Sequence, residues 1–220
     1  MKLRPIIIGF AIAVPLTLLS YLLLDQRVAI LIQELILPHD VLKKVTSNIP
    51  DLLLPIVLAI TALSWACYFY LSSTGIHNRQ TRFAQLCGVS VPLSYAAKTM
   101  LQSAFGRVNP KIWLHHHELA GFHWFPALPA GYGFPSGHMT VFTALAMVFS
   151  YIYPHYRRIY LATLGLLGVA LVVTNYHFLS DVIFGAYLGL LICYLADYGL
   201  TTVSSSYRQA HRIADAAAVP

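Results

Sequence analysis

Three short polar clusters interrupt an otherwise apolar chain, and their side chains are those that phosphoryl chemistry uses. The first runs from Lys98 through Gly106 and Arg107 to Asn109 and Pro110. The second is Pro135-Ser136-Gly137-His138, and the third is Asn175-Tyr176-His177-Phe178-Leu179-Ser180-Asp181. Pro135 stops a preceding helix, Ser136 can cap the next, and Gly137 leaves its backbone N–H accessible. Free N–H groups at a helix N-terminus hold anions, phosphate above all, and His138 falls in the first turn beside them. His177 and Asp181 are four residues apart, which places them on one face at the start of a helix. A carboxylate bonded to one imidazole nitrogen fixes the tautomer and leaves the other nitrogen to attack. Lys98 and Arg107 supply positive charge for phosphoryl oxygens. Two histidines, a carboxylate, two cations and a helix terminus make up a phosphoryl-transfer site that requires no metal.

The elements that must carry these residues are membrane helices. Of the 220 residues, 58% are apolar and only 10% charged, whereas soluble domains run nearer a quarter charged. Six apolar stretches, at 5–24, 52–71, 83–105, 138–153, 158–176 and 181–200, are read as spans. The first is read as a retained helix rather than a cleaved signal peptide, because no small-x-small cleavage pattern follows it. The amphipathic piece 28–37 is read as a short helix lying in the membrane interface. The expected fold is therefore all-α: an integral membrane bundle of six transmembrane helices with a short interfacial helix, forming a single domain over 1–220 with a frayed cytoplasmic tail at 204–220.

Charge sets the orientation. With a cytoplasmic N-terminus, eight Lys and Arg residues fall in cytoplasmic segments and five on the opposite side, while Lys98 lies within the third span. This bias agrees with the positive-inside rule and puts all three polar clusters on the non-cytoplasmic face. The net charge of +6 is scattered and forms no nucleic-acid stripe. Cys67, Cys87 and Cys193 all fall in apolar stretches and read as buried hydrophobes rather than as a disulfide framework or zinc site. The loop residues His115, His116, His117, Glu118 and His123 lack helical spacing and read as exposed rather than metal-binding. Trp113, Phe122, Trp124 and Phe125 read as interfacial anchors. Asp197 reads as an interface residue, and Gly165, Gly168, Gly185 and Gly189 as points of close helix packing.

Taken in order, the three clusters resemble the type-2 phosphatidic acid phosphatase family, which shares its site with vanadium-dependent haloperoxidases. The resemblance covers about residues 95–195. It rests on Phe105-Gly-Arg107-Val-Asn-Pro110, on Pro135-Ser-Gly-His138, and on His177 with Asp181. It implies that His177 attacks phosphorus to form phosphohistidine, that Asp181 orients it, and that His138 protonates the leaving group. Ser136, the Gly137 backbone N–H, Lys98 and Arg107 would hold the phosphoryl oxygens, with no cofactor. The family's lysine position is Gln102 here, and Lys98 lies one helical turn earlier on the same face. Leu171 and Asn109 stand where relatives carry arginines, so Asn109 or Asn175 would hydrogen-bond in place of charge.

The implied activity is hydrolysis of a phosphomonoester or diphosphate on a membrane lipid, at the periplasmic face of a bacterial inner membrane. Two alternatives stay open: a lipid-to-lipid phosphotransferase using the same phosphohistidine, and a degenerate, non-catalytic lipid-binding relative, which the absent arginine at Leu171 favours. A haloperoxidase is disfavoured, because that activity requires vanadate and is usual in soluble proteins. The implied partners are the bilayer and a phosphorylated lipid, not nucleic acid.

Overall fold

The computed structural model describes residues 3–35, 49–126 and 132–217. Among these the chain is helical, with one isolated antiparallel bridge, Val108 to Tyr132, and no strand. The helices are α1 (Arg4–Leu19), α2 (Asp25–Leu35), α3 (Ile49–Ser73), α4 (Arg79–Phe105), α5 (Pro110–His115), α6 (Gly137–Ile152), α7 (Arg157–Val173) and α8 (Leu179–Ala217). Their ends carry the expected chemistry. Asn78 accepts from the N–H groups of Gln80 and Thr81 at the start of α4. Asn109 caps α5 through Ile112 N, and Ser136 caps α6 through Met139 N. Gly106 closes α4 at φ 58°, and a side chain there would run into the His123 carbonyl, so only glycine fits.

Four helical segments are long and apolar enough to cross a membrane: Arg4–Leu35, Leu52–Ser73, Pro154–Val173 and Leu179–Val203. The apolar α6 has 16 residues. α4 has 27, but Gln85, Ser90, Ser94, Lys98 and Gln102 interrupt its apolar character. Half of the apolar window of α8 is buried, against 17% for the first span and 11% for α3 and α7. This makes α8 the central helix, packed on α6, α4 and α1, while α4 also packs on α3 and α6. Leucines and isoleucines such as Ile7, Ile12, Leu22, Leu58 and Leu166 cover the outside, a surface that suits hydrocarbon rather than water.

Close contact between α6 and α8 rests on glycine. A side chain at Gly185 would come within 2.7 Å of the Ser136 carbonyl, and one at Gly189 would strike that of Thr140. Gly168 likewise faces Val182 at 3.2 Å. Gly165 differs from the expectation: nothing lies within 4 Å of its Cβ direction, and it lines an apolar groove instead.

The N-terminal region also departs from the sequence reading. No break follows Leu24. A π-helical turn over Ser20–Leu24 joins α1 to α2 as one rod of 32 residues. The expected interfacial helix at 28–37 is thus a continuation of the first span as far as Leu35, and residues 36 and 37 lie outside the described residues. Its apolar face is not spent on lipid: Ala29 packs with Val108, Trp113 and Phe178. Trp113, read as an interfacial anchor, is core for the same reason, whereas Trp124 and Phe125 are exposed. At the other end, α8 continues as helix through Ala217 where a frayed tail was expected. Asp197 is buried and paired with Arg82 at 2.8 Å rather than sitting at an interface.

Candidate active site

The end of α4, the start of α6 and the loop between α7 and α8 meet at one end of the bundle. The α7 helix closes on Leu171, whose carbonyl accepts from the N–H groups of both Tyr176 and His177. Asn175, in that turn, adopts φ 50°, a left-handed conformation that asparagine tolerates better than most residues. This turn fixes the His177 backbone. The Leu171 side chain points away into an apolar cluster with Met139 and Val182.

The rings of His138 and His177 face each other with centroids 6.4 Å apart. They line a cavity of about 230 Å³ together with Lys98, Gln102, Asn109, Gly137, Tyr132 and Tyr176, and with Leu53 and Tyr95 at its edge. Both histidines are buried. Their separation accommodates one tetrahedral group touched from two sides, each at the ~3–3.5 Å of a near-attack geometry.

Asp181 lies behind His177. Its Oδ2 is 3.6 Å from His177 Nδ1 and accepts from Phe178 N at 3.0 Å. That ring nitrogen is buried and has no closer polar partner among the described residues. Hydrogen bonds of this kind are often long in the free enzyme and tighten around substrate. The pairing commits Nδ1 and leaves Nε2 as the nitrogen available for attack.

The structure separates the expected phosphate-binding residues into two groups. Lys98, Gly137 and Asn109 line the cavity. Lys98 Nζ is 3.2 Å from Gln102 Oε1 and 4.5 Å from the centre of the Tyr95 ring. Gln102 in turn donates to the Pro135 carbonyl at 2.9 Å, linking Lys98 to the loop that starts α6. Ser136 is fully buried as the cap of α6 and does not line the cavity.

Arg107 lies outside the cavity lining as well. Nη1 reaches Asp181 Oδ1 at 2.6 Å and Ser180 Oγ at 2.7 Å, and Nη2 reaches Asp25 Oδ2 at 2.7 Å. The guanidinium is 3% exposed and is framed by the rings of Tyr21, Phe122 and Phe178.

Several residues at this site escape sequence reasoning. Asp25 ends an apolar run and reads as its boundary, and nothing nearby marks it as a partner for a residue 82 positions away. Tyr132 sits in a loop with no pattern. Tyr176 is adjacent to His177, and Gln102 occupies the family's lysine position, so both carried a signal. Lys111 stands 5.3 Å from the centre of the Tyr176 ring, and burial lowers its affinity for a proton below that of an ordinary lysine.

The histidine loop is exposed, with His116 Nδ1 3.2 Å from Glu118 Oε1. Among the described residues no group of three His, Cys, Asp or Glu side chains is placed to hold a metal ion. The cysteines are free.

A family model described as the PAP2 superfamily matches residues 83–203, more than half of the chain. Two curated relatives are lipid A 1-phosphatases. That of Rhizobium johnstonii is 34% identical over 106 residues, and that of Rhizobium etli is 33% identical over 100. Each match covers 46% of this chain and 43% of the relative, so the chain matches less than half the length of either. No solved structure matches the chain.

Proposed function

The chain belongs to the PAP2 superfamily, and from that premise we propose that it is a lipid phosphatase working through phosphohistidine without a metal. The observation that carries this reading is the opposition of His138 and His177 across a cavity lined by Lys98. His177 Nε2 attacks phosphorus. The bond from phosphorus to the lipid oxygen breaks, and its electrons leave with that oxygen, which takes a proton from His138. Water then attacks the phosphohistidine and gives a proton back to His138. The P–N bond breaks, releasing inorganic phosphate and free His177.

Asp181 holds Nδ1 and compensates the positive charge that develops on the ring. Lys98, the Gly137 N–H and Asn109 hold phosphoryl oxygens. Arg107 acts through Asp181, and Ser136 holds the start of α6 in place. We propose six membrane crossings, with α4 and α6 as the third and fourth, and a site at the periplasmic side of a bacterial inner membrane. The two Rhizobium relatives make lipid A the leading substrate, ahead of phosphatidate, phosphatidylglycerophosphate and undecaprenyl diphosphate.

The test is phosphate release by detergent-purified protein from these four lipids in the presence of EDTA. Release is expected to resist EDTA and to fall by at least about a thousandfold in His177→Ala, on the scale of a lost nucleophile. Full activity in His177→Ala, or loss on chelation, refutes the mechanism. Radiolabel recovered in a second lipid rather than in free phosphate converts the hydrolase into a phosphotransferase.

A further inference from the structure

Asp25 belongs to the N-terminal helix, outside the segment that matches the family model. It is 2% exposed. At 1.5 Å per residue it lies about 30 Å from Arg4 along the rod, one hydrocarbon thickness away. Its bonds among the described residues all go to the active-site end. Oδ2 accepts from Arg107 Nη2 at 2.7 Å and from the Ser180 hydroxyl, and Oδ1 accepts from Ser180 N at 3.0 Å. A second tie comes from one turn further along the same helix, where the Ala29 carbonyl accepts from Asn175 Nδ2 at 3.0 Å. The two ties bracket His177, two residues before it and three after.

We propose that Asp25 is a positioning residue for the nucleophile. It fixes Arg107 and Ser180, and through them holds Asp181 in the orientation that serves His177. This rests on the phosphohistidine reading above.

A plain clip between helices would need only one carboxylate for one guanidinium. Here Asp25 and Asp181 share Arg107, so the guanidinium satisfies only half of the carboxylate charge that faces it. The remainder stays on the side of Asp181 that faces His177 Nδ1. Asp25 thereby sets both where Arg107 sits and how much of the Asp181 charge is left for the imidazole.

The test compares Asp25→Asn, Asp181→Asn and the double variant in the lipid phosphatase assay, with wild type and His177→Ala alongside. Asp25→Asn is expected to lower kcat by roughly tenfold to a hundredfold, the range for a residue acting through a directly engaged group, with KM unchanged. On the Asp181→Asn background it should change little more, because both act along one path.

Wild-type kcat in Asp25→Asn, or effects that multiply in the double variant, overturns the proposal. If wild type shows no His177-dependent release, the function reading fails. Asp25 is then judged by thermal unfolding of the same four-member cycle, where non-additive shifts support the coupling and additive ones overturn it. If Asp25→Asn does not accumulate folded, Ser180→Ala cuts two of the same contacts and keeps every charge. It is expected to lower kcat in the same direction by a smaller factor, and a wild-type kcat there overturns the proposal equally.

Discussion

Arginine–aspartate pairs pin the region of α4 to α8 at both ends, and the two are built differently. At the end away from the site, Arg82 of α4 meets Asp197 of α8 at 2.8 Å. There the arginine side chain is 27% exposed, and Thr201 adds a contact at 3.0 Å. At the site end, Arg107, two residues beyond α4, meets Asp181 of α8 at 2.6 Å but also meets Asp25 at 2.7 Å, with all three side chains at most 4% exposed. One end has a single carboxylate per guanidinium and partial access to solvent. The other has two, sealed. Charge balance with solvent access makes a clamp; charge excess without it makes a chemical environment, and only the second has histidines beside it.

The contrast can be broken most directly at Arg107. Arg107→Ala leaves two buried carboxylates facing each other and is expected to cost about 3–5 kcal/mol of stability, the penalty for unpairing buried charge, and to abolish phosphate release. Thermal unfolding in detergent and the release assay measure the two effects. The next largest effect is Lys98→Met, which removes the cation lining the cavity. It should reduce kcat/KM by about 10²–10³ while the unfolding transition stays at the wild-type position, separating binding charge from structural charge.

Gly185→Ala presses α8 against the Ser136 carbonyl and should cost about 1–3 kcal/mol as an overpacked contact. Gly165→Ala, which faces open space, should stay within about 0.5 kcal/mol. The smallest effect is expected at the far end. Arg82→Ala should lower stability by on the order of 1 kcal/mol, with kcat within a few-fold of wild type. Because Arg82 is partly exposed, this loss should shrink as salt is raised, unlike that of Arg107→Ala. Equal losses in Arg82→Ala and Arg107→Ala would erase the distinction between the two ends.

The sequence made part of this site legible. His138, His177 and Asp181 were readable because spacing and helix ends constrain where they point, and the structure brings them together. Lys98 was readable because a shift of one turn keeps a residue on its face, and it lines the cavity. Arg107 was readable as a member of the site but not in its contacts, since Asp25 is a long-range partner that no local pattern announces. The helix continuing past Leu24 was hidden for the same reason: a charged residue after an apolar run looks like a boundary until its counter-ion is known. Trp113 and Asp197 were misplaced because aromatic and acidic residues near span ends suit the interface on their own and become core only through partners distant in sequence.

The π-helical turn at Ser20–Leu24 makes the first helix a ruler with a phase. Each residue advances a helix by about 100°, and a π-turn inserts one residue without ending the rod. Removing a single residue between Ser20 and Leu24 would let the segment revert to a continuous α-helix. Everything after it would then rotate by about a quarter turn. Asp25 would swing toward lipid, and the Ala29 carbonyl would lose Asn175. The beginning of this chain thus acts as a key cut to one length, and a deletion far from either histidine in sequence would unlock both.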